Sequence, residues 1–579
     1  MKRSRRGLER VLPVAAALVA AGCGMSSDTS GDDGTGSWFE EVAIERGLVF
    51  AHRSGHETKH YIPEAMGGGA ALFDMDDDGD LDVYLVQSGS LIQPFANQPS
   101  NRLFRNRGGG RFEDVTDGSG AGDRGFGMGV AAADYDLDGD IDLYVTNVGR
   151  NTLLRNEGGG KFSDQTEFSG TGHAGWGTGA VFFDYDLDGD PDLYLANYIH
   201  WSKENENDCH GPVGEPTYCG PRTYKSPAMD VLYRNNGDGT FTDVTVEMGI
   251  NRNFGNGLGV VSADFDGDGW LDVFVANDGS LNQLWINMGG REFRDVALVR
   301  GCAADQDGVA KAGMGVTTAD ADEDGDLDLL VCNLYKESDS YYRNDGSFFS
   351  DVTAMAGLGV TPRLFTRFGL GWVDFDNDGY LDLFQANGRV KYQSSLFSDD
   401  PYAELNLLFR GGPQGRFEEV LPRGGTAERL IATSRAAAFG DIDGDGGIDI
   451  VVVNRDLSVH LMRNIVADRG NWIFFRALDT SGVDAEGTIV TLTVGGREMR
   501  RDVRAAYSYL ASNSPRVHFG LGAATRVEDV AVRWIDGARE SYGSFDAGQV
   551  VTLRRGAGGK AGEMVLHQGG REMLPKHID

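Results

Sequence analysis

The sequence predicts an all-β fold: a seven-bladed β-propeller followed by a small C-terminal β domain. Three observations predict it. An acidic loop, Asp-x-Asp-x-Asp-Gly-x-x-Asp, recurs seven times, its closing Asp always eight residues after the first. The residues after each loop alternate apolar and polar (Leu81, Val83, Leu85; Leu143, Val145), which is a strand period. The two ends of the repeat array are also complementary, one holding a spare strand and the other lacking one.

Taken in order, the chain opens on Lys2, Arg3, Arg5 and Arg6, then an apolar run from Val11 to Ala21, too short for a stable bilayer anchor. Ala20-Ala21-Gly22-Cys23 closes it and resembles a bacterial lipobox, with Ala20 where Leu is usual. Residues 1–23 then read as a lipoprotein signal with Cys23 acylated; an ordinary cleaved signal peptide is the alternative. Either implies export, and disulfides become available. Residues 24–37 read as a flexible tether.

The first acidic loop brings Asp74, Asp76, Asp78 and Asp82 around one point. Gly79 permits the sharp turn and Asp80 offers its carbonyl. Ca²⁺ takes six to eight oxygens at about 2.3–2.6 Å, and this set suits it. The phrase returns as Asp134, Asp136, Asp138, Asp140 and Asp142, then as Asp184, Asp186, Asp188, Asp190 and Asp192. It continues as Asp264, Asp266, Asp268, Trp270 and Asp272, and as Asp320, Asp322, Asp324, Asp326 and Asp328. Asp374, Asp376, Asp378, Tyr380 and Asp382 make the sixth loop; Asp441, Asp443, Asp445, Gly447 and Asp449 make the seventh. Up to seven Ca²⁺ are expected. A helix–loop–helix calcium hand would need Glu at position twelve, where this chain has Leu85, Val145, Leu195, Val275, Val331, Gln385 and Val452. Each loop is therefore a hairpin between strands.

The loops recur at intervals of about 61 residues, a repeat period. A Gly-x-Gly lead-in, the hairpin, a strand ending in Asn, a strand ending Arg-Asn and a Phe-x-Asp-Val-Thr strand make four strands per unit, the make-up of a propeller blade. The seventh unit stops at Arg463-Asn464, and Phe39 to Val42 has no other home, so that segment is expected to pair beside Leu461–Asn464 and close the ring over residues 38–465. Asn471 to Arg555 reads as short strands (Trp472–Arg476, Ile489–Val494, Val530–Trp534, Val550–Leu553), and the tail from residue 556 as disordered.

The Gly-x-Gly lead-ins and acidic loops resemble FG-GAP/VCBS repeats, the calcium-bearing blades also found in integrin α-subunit heads. Val517-His518-Phe519-Gly520-Leu521-Gly522 and Val532-Arg533-Trp534-Ile535-Asp536-Gly537 resemble the ASPIC/UnbV domain over 471–555. Gly487-Thr488 and Trp534-Ile535 depart from that domain's usual Gly-Ala and Trp-Pro. Together the pair resembles the cartilage acidic protein family and its bacterial relatives.

The net charge of −35, from 53 basic and 88 acidic residues, argues against nucleic acid or an anionic membrane surface as partner; membrane contact is expected only through the N-terminal lipid. Cys209 and Cys219 are expected to bridge; Cys302 and Cys332 either bridge or Cys332 is a buried thiol. His52, His56 and His60 show helical spacing, but Gly55 and Pro63 interrupt it, so no metal or catalytic site is read there. No nucleophile elbow or zinc-protease motif occurs, and no catalytic residue is assigned.

In a repeat protein the residues common to every unit serve the unit, and function is sought where units differ. The largest departure is Tyr198 to Asp230, with Trp201, Tyr218 and Tyr224 beside Cys209 and Cys219. Ser88–Asn101 and Gly388–Glu404 (with Tyr392, Phe397 and Tyr402) emerge on the same face, opposite the acidic loops. Exposed aromatics suit sugar or protein contact; loop padding is the bland alternative. The expectation is a calcium-stabilised, non-catalytic protein of a bacterial envelope that binds glycan or protein. Its rivals are an enzyme sited in the channel or at the C-terminal junction, and an assembly scaffold.

Overall fold

The computed structural model describes residues 36–94, 97–211, 214–392 and 398–560. Cys23, the tether up to residue 35, Phe397 and the tail past residue 560 lie outside them. Seven antiparallel meanders of four strands carry the seven acidic loops. Their first strands are Ala70–Phe73, Phe126–Ala133, Gly177–Phe183, Gly257–Ala263, Val316–Ala319, Arg367–Val373 and Ser434–Gly440. Each packs on the next and the seventh on the first, so the sheets form a ring of blades. The Gly-x-Gly lead-ins allow that approach: a Cβ on Gly179 would meet the Leu258 carbonyl at 2.7 Å, and one on Gly129 the Thr178 carbonyl at 2.8 Å.

The ring closes with the spare N-terminal strand. Phe39–Glu41 pairs with His460–Asn464 in the register Phe39 to Asn464 and Glu41 to Met462, and Val42 N adds a bond to Leu461 O at 2.9 Å. The seventh blade thereby gains its fourth, outermost strand from the start of the ring.

The Arg-Asn pairs have separate duties. The Asn donates its amide to its own loop and to the preceding blade: Asn287 Nδ2 reaches Leu271 O at 3.2 Å and Tyr185 O at 2.8 Å. Asn156, Asn235, Asn344 and Asn464 make the same cross-blade bond. Blade six has Gly411 at this slot, with its backbone close enough that a Cβ would run into the Leu381 carbonyl. Asn287→Ala strands two buried carbonyls and is expected to cost about 2–4 kcal/mol in urea unfolding. A change under about 0.5 kcal/mol would remove the staple role.

The C-terminal domain packs Asn471–Leu478, Val517–Gly522 and Gln549–Arg554 against a sheet of Arg497–Asp502, Ile489–Val494, Arg526–Arg533 and Arg539–Asp546. Phe475, Leu492, Phe519, Val532 and Trp534 form its core. Its order extends further than expected, since Gly559–Lys560 pairs with Glu540 and Ser541.

Between those sheets the chain runs down the propeller channel. Ala511–Ser512 pairs in parallel with Ala70–Ala71, and Ser508 exchanges two bonds with Val316 at 2.8 and 3.0 Å. Leu370 N, Ala132 N and Phe439 N donate to Ser508 Oγ, Ser512 Oγ and Asn513 Oδ1. First strands present a bare hydrogen-bonding edge to the channel, and this segment satisfies it. Its tip carries Ser508 and Leu510 at positive φ (87° and 54°), a tight turn forced on residues that are not glycine. The channel is plugged.

Candidate functional site

Each acidic loop is wired alike. Asp74 accepts Asp78 N at 3.1 Å and Gly79 N at 3.0 Å, and Asp78 accepts Asp80 N at 3.0 Å. The closing Asp82 is fully buried and holds the loop to the third strand, accepting Met75 N at 2.9 Å and Asn106 N at 2.7 Å. Asp142, Asp192, Asp272, Asp328, Asp382 and Asp449 repeat that pair of bonds. The closing Asp is therefore a hub of the fold, a duty its spacing alone did not show.

Some oxygens remain unpartnered. Asp76, Asp136, Asp186, Asp322 and Asp443, the third position of five loops, each keep a buried Oδ1 without a partner, as do Asp184 and Asp264 at the first position. Carboxylate oxygens of Asp134, Asp136 and Asp142 lie within 4.8 Å of one another, as do those of Asp184, Asp186 and Asp192, and of Asp264, Asp266 and Asp272. In the first and fifth loops the converging sets are Asp74, Asp76, Asp78 and Asp320, Asp322, Asp324. Burial, and behind it the neighbouring carboxylates, pushes Asp82 up to about 7 and Asp192 up to about 9. Buried, crowded hard oxygens that converge on one point fit a calcium ion. Such an ion would supply positive charge and coordination there. The third-strand arginines supply part of that charge: Arg155 reaches Asp136 at 2.7 Å and Asp138 at 2.9 Å, and Arg105, Arg410 and Arg463 act likewise.

The C-terminal domain docks on these loops. Arg533 donates to Asp264 Oδ2 at 2.9 Å, Arg516 to Gly79 O at 2.9 Å, and Arg500 and Arg497 to Gly325 O and Glu323. Arg469, just before that domain, meets Asp445 at 2.7 Å. Blades two and three instead border a cleft of about 400 Å³ between Asp134, Asp184 and the Arg476–Asp484 pair. The arginines from 497 to 516 look like ordinary surface in the sequence; only their concentration in an acidic chain hints at an acidic partner surface within it. Of the two enzymatic locations, the channel is occupied by Tyr507–Leu510, and the junction holds the cleft just described.

On the opposite face the unit-specific loops converge. One residue past the recurring Asn (Asn147, Asn197, Asn277, Asn333, Asn387 and Asn454, with Gln87 in the first blade) stand Ser88, Val148, Tyr198, Asp278, Leu334, Gly388 and Arg455, positions with no common chemistry. The blade-three insertion folds over this mouth. Cys209 and Cys219 are bonded (S–S 2.08 Å), while Cys302 and Cys332 are buried free thiols. The three insertion aromatics are not the exposed platforms expected. Tyr218 is buried, with His60 at 4.8 Å and Tyr402 at 5.9 Å between ring centres. Trp201 and Tyr224 are half-buried and both donate to Glu206. The disulfide turns the loop back on its neighbours, so its aromatics pack rather than project. Arg455 lies between Tyr402 (4.4 Å) and Tyr218 (5.6 Å), its Nε and Nη1 without hydrogen-bond partners. His56 Nδ1 is 2.8 Å from the buried carboxyl of Glu64, which burial pushes up to about 8.

Residues 74–145, 134–195, 223–275, 264–331 and 320–385 match the FG-GAP-like repeat, and residues 479–560 match the family described as ASPIC and UnbV. Cartilage acidic protein 1 of Xenopus tropicalis is 26% identical over 310 residues, covering 51% of this chain and 44% of that protein. The Homo sapiens protein is 28% identical over 313 residues, 51% of this chain and 43% of its own. The match thus spans less than half the length of these curated relatives. Among solved structures, virginiamycin B lyase from Staphylococcus aureus is similar at 9% identity and a TM-score of 0.34, over 69% of this chain and 95% of its own.

Proposed function

The chain belongs to the family that joins FG-GAP repeats to an ASPIC/UnbV domain, and on that footing we propose a calcium-stabilised, non-catalytic binding protein of the bacterial envelope. It is lipid-anchored through Cys23 and takes a glycan or a surface protein at the face opposite the acidic loops. The observation that carries this reading is an asymmetry between faces. One face is spent on the acidic loops and the docked C-terminal domain, and the channel on the plug. The residues that differ between blades are gathered at the other mouth, under a disulfide-closed insertion. Pre-organised loops lose less entropy on binding, and the insertion is built that way.

The full calcium-loaded chain is to be screened against glycan arrays and envelope proteins, beside a Cys209→Ser/Cys219→Ser variant. The variant is expected to keep its metal content and melt of the ring while its capture weakens by about tenfold or more, since a disulfide closing so short a loop restrains it by about 2–4 kcal/mol. Blank screens together with substrate turnover by the purified protein would sink the reading.

A further inference from the structure

Asp278 is the carboxylate in the ring at the distal mouth, in the slot held elsewhere by Val148, Leu334 or Arg455. It is 7% exposed, and Tyr198 donates its hydroxyl to Oδ2 at 2.6 Å. It borders a cavity of about 330 Å³ floored by Met66, Met314 and Phe368, with Tyr218 on the wall toward the insertion. Glu337 lines the same cavity and accepts Ala312 N at 3.0 Å. Among the described residues neither carboxylate makes an ion pair. Arg222 at the rim has its Nε and Nη2 committed to Gly279 O and Ala310 O, which latches the insertion over the opening. Lys391 stands exposed at the rim.

Arg222 and Lys391 line the same cavity and their charges reach Asp278, but neither closes an ion pair with it. Two acids so placed over an apolar, partly aromatic floor select by both charge and shape. A buried carboxylate repels anions and gains little from a neutral alcohol, while a charge-assisted bond to an ammonium is stronger than a neutral one. Methionine and aromatic faces accept an alkyl chain, and ring faces attract its charged end. Burial pushes Asp278 up only to about 6, so it stays ionised at neutral pH.

We propose that this cavity binds an alkylammonium, its nitrogen between Asp278 and Glu337 and its alkyl part on Met66, Met314 and Phe368. The inference rests on the distal mouth being the binding face. Its natural source is a ligand with an amine on an apolar stem, such as a lysine side chain of a surface protein. An amino sugar offers the same charge without the stem.

The test is titration calorimetry of the full calcium-loaded chain with hexylammonium, hexanol, hexanoate and glucosamine. Hexylammonium is expected to bind saturably, hexanol and glucosamine at least about tenfold more weakly, and hexanoate not at all. Asp278→Asn keeps an acceptor for the Tyr198 hydroxyl, and Glu337→Gln keeps one for Ala312 N. Each is expected to lower hexylammonium affinity by about tenfold or more at an unchanged melting temperature. Hexanol binding as well as hexylammonium, glucosamine binding more tightly, or affinity unchanged in Asp278→Asn would overturn the proposal. Capture of a glycan or protein that persists without hexylammonium binding overturns this inference alone and leaves the binding-face reading standing.

Discussion

Chelation is expected to lower the melting temperature by roughly 20 °C. A ligand at a hundred times its dissociation constant stabilises the folded state by about 2.7 kcal/mol per site, so seven loops amount to roughly 20 kcal/mol. Spread over the unfolding entropy of a ring this size, that converts to about one degree per kcal/mol. The effect should be cooperative, because each loop is tied to its neighbour. Asn464 joins the seventh loop to Phe375 O and Asn344 joins the fifth to Phe265 O, so a loop that opens releases part of the next blade. Without an ion, the buried oxygens of Asp76, Asp136 and Asp186 face neighbouring carboxylates, and the third-strand arginines offset only part of the repulsion. The seventh loop is expected to empty first, since Arg463 and Arg469 already pair with Asp443 and Asp445 and compete for the same oxygens. Calorimetry with and without EDTA, beside metal counting, checks both statements. A metal-free chain whose melting is indifferent to EDTA would sink the calcium assignment.

The propeller was legible in the sequence because its constraints are stated seven times. Spacing between carboxylates, the alternation after each loop, and the Asn that ends a strand all repeat, so local ambiguity cancels. Ring closure was legible for the same reason: Phe39–Glu41 supplies what the seventh unit lacks. What occurs once was not legible. Ala505–Ser514 has no second copy, and nothing in its small and aromatic residues says that its partners are the inner edges of five blades. Arg500, Arg516 and Arg533 make sense only when the acidic face they meet is in place. Trp201, Tyr218 and Tyr224 mark the right loop but not their own burial, which depends on how the Cys209–Cys219 bridge folds the insertion.

Tyr509→Ala is expected to cost about 3–5 kcal/mol, the range for removing a large aromatic from a packed interior. Tyr509 is fully buried, sits edge-on to Phe368 at 4.9 Å and donates to Met66 O at 3.4 Å. Phe368 in turn lies 4.0 Å from the buried Arg435 guanidinium, which holds the carbonyls of Ala65 and Gly388. The loss therefore opens a cavity where blades one, six and seven meet the plug. A core mutation and a plug mutation would cost the same in urea, so the discriminating readout is hydrogen exchange. If the segment serves to satisfy the inner edges, the Val316 and Leu370 amides, bonded to Ser508, should exchange faster in the variant. The Asn106 amide, bonded to Asp82 on the third strand, should keep its protection. Uniform acceleration at all three would mean that Tyr509 contributes to global stability without sealing the channel. Protection unchanged at Val316 would mean that the first strands hold their edges without the plug.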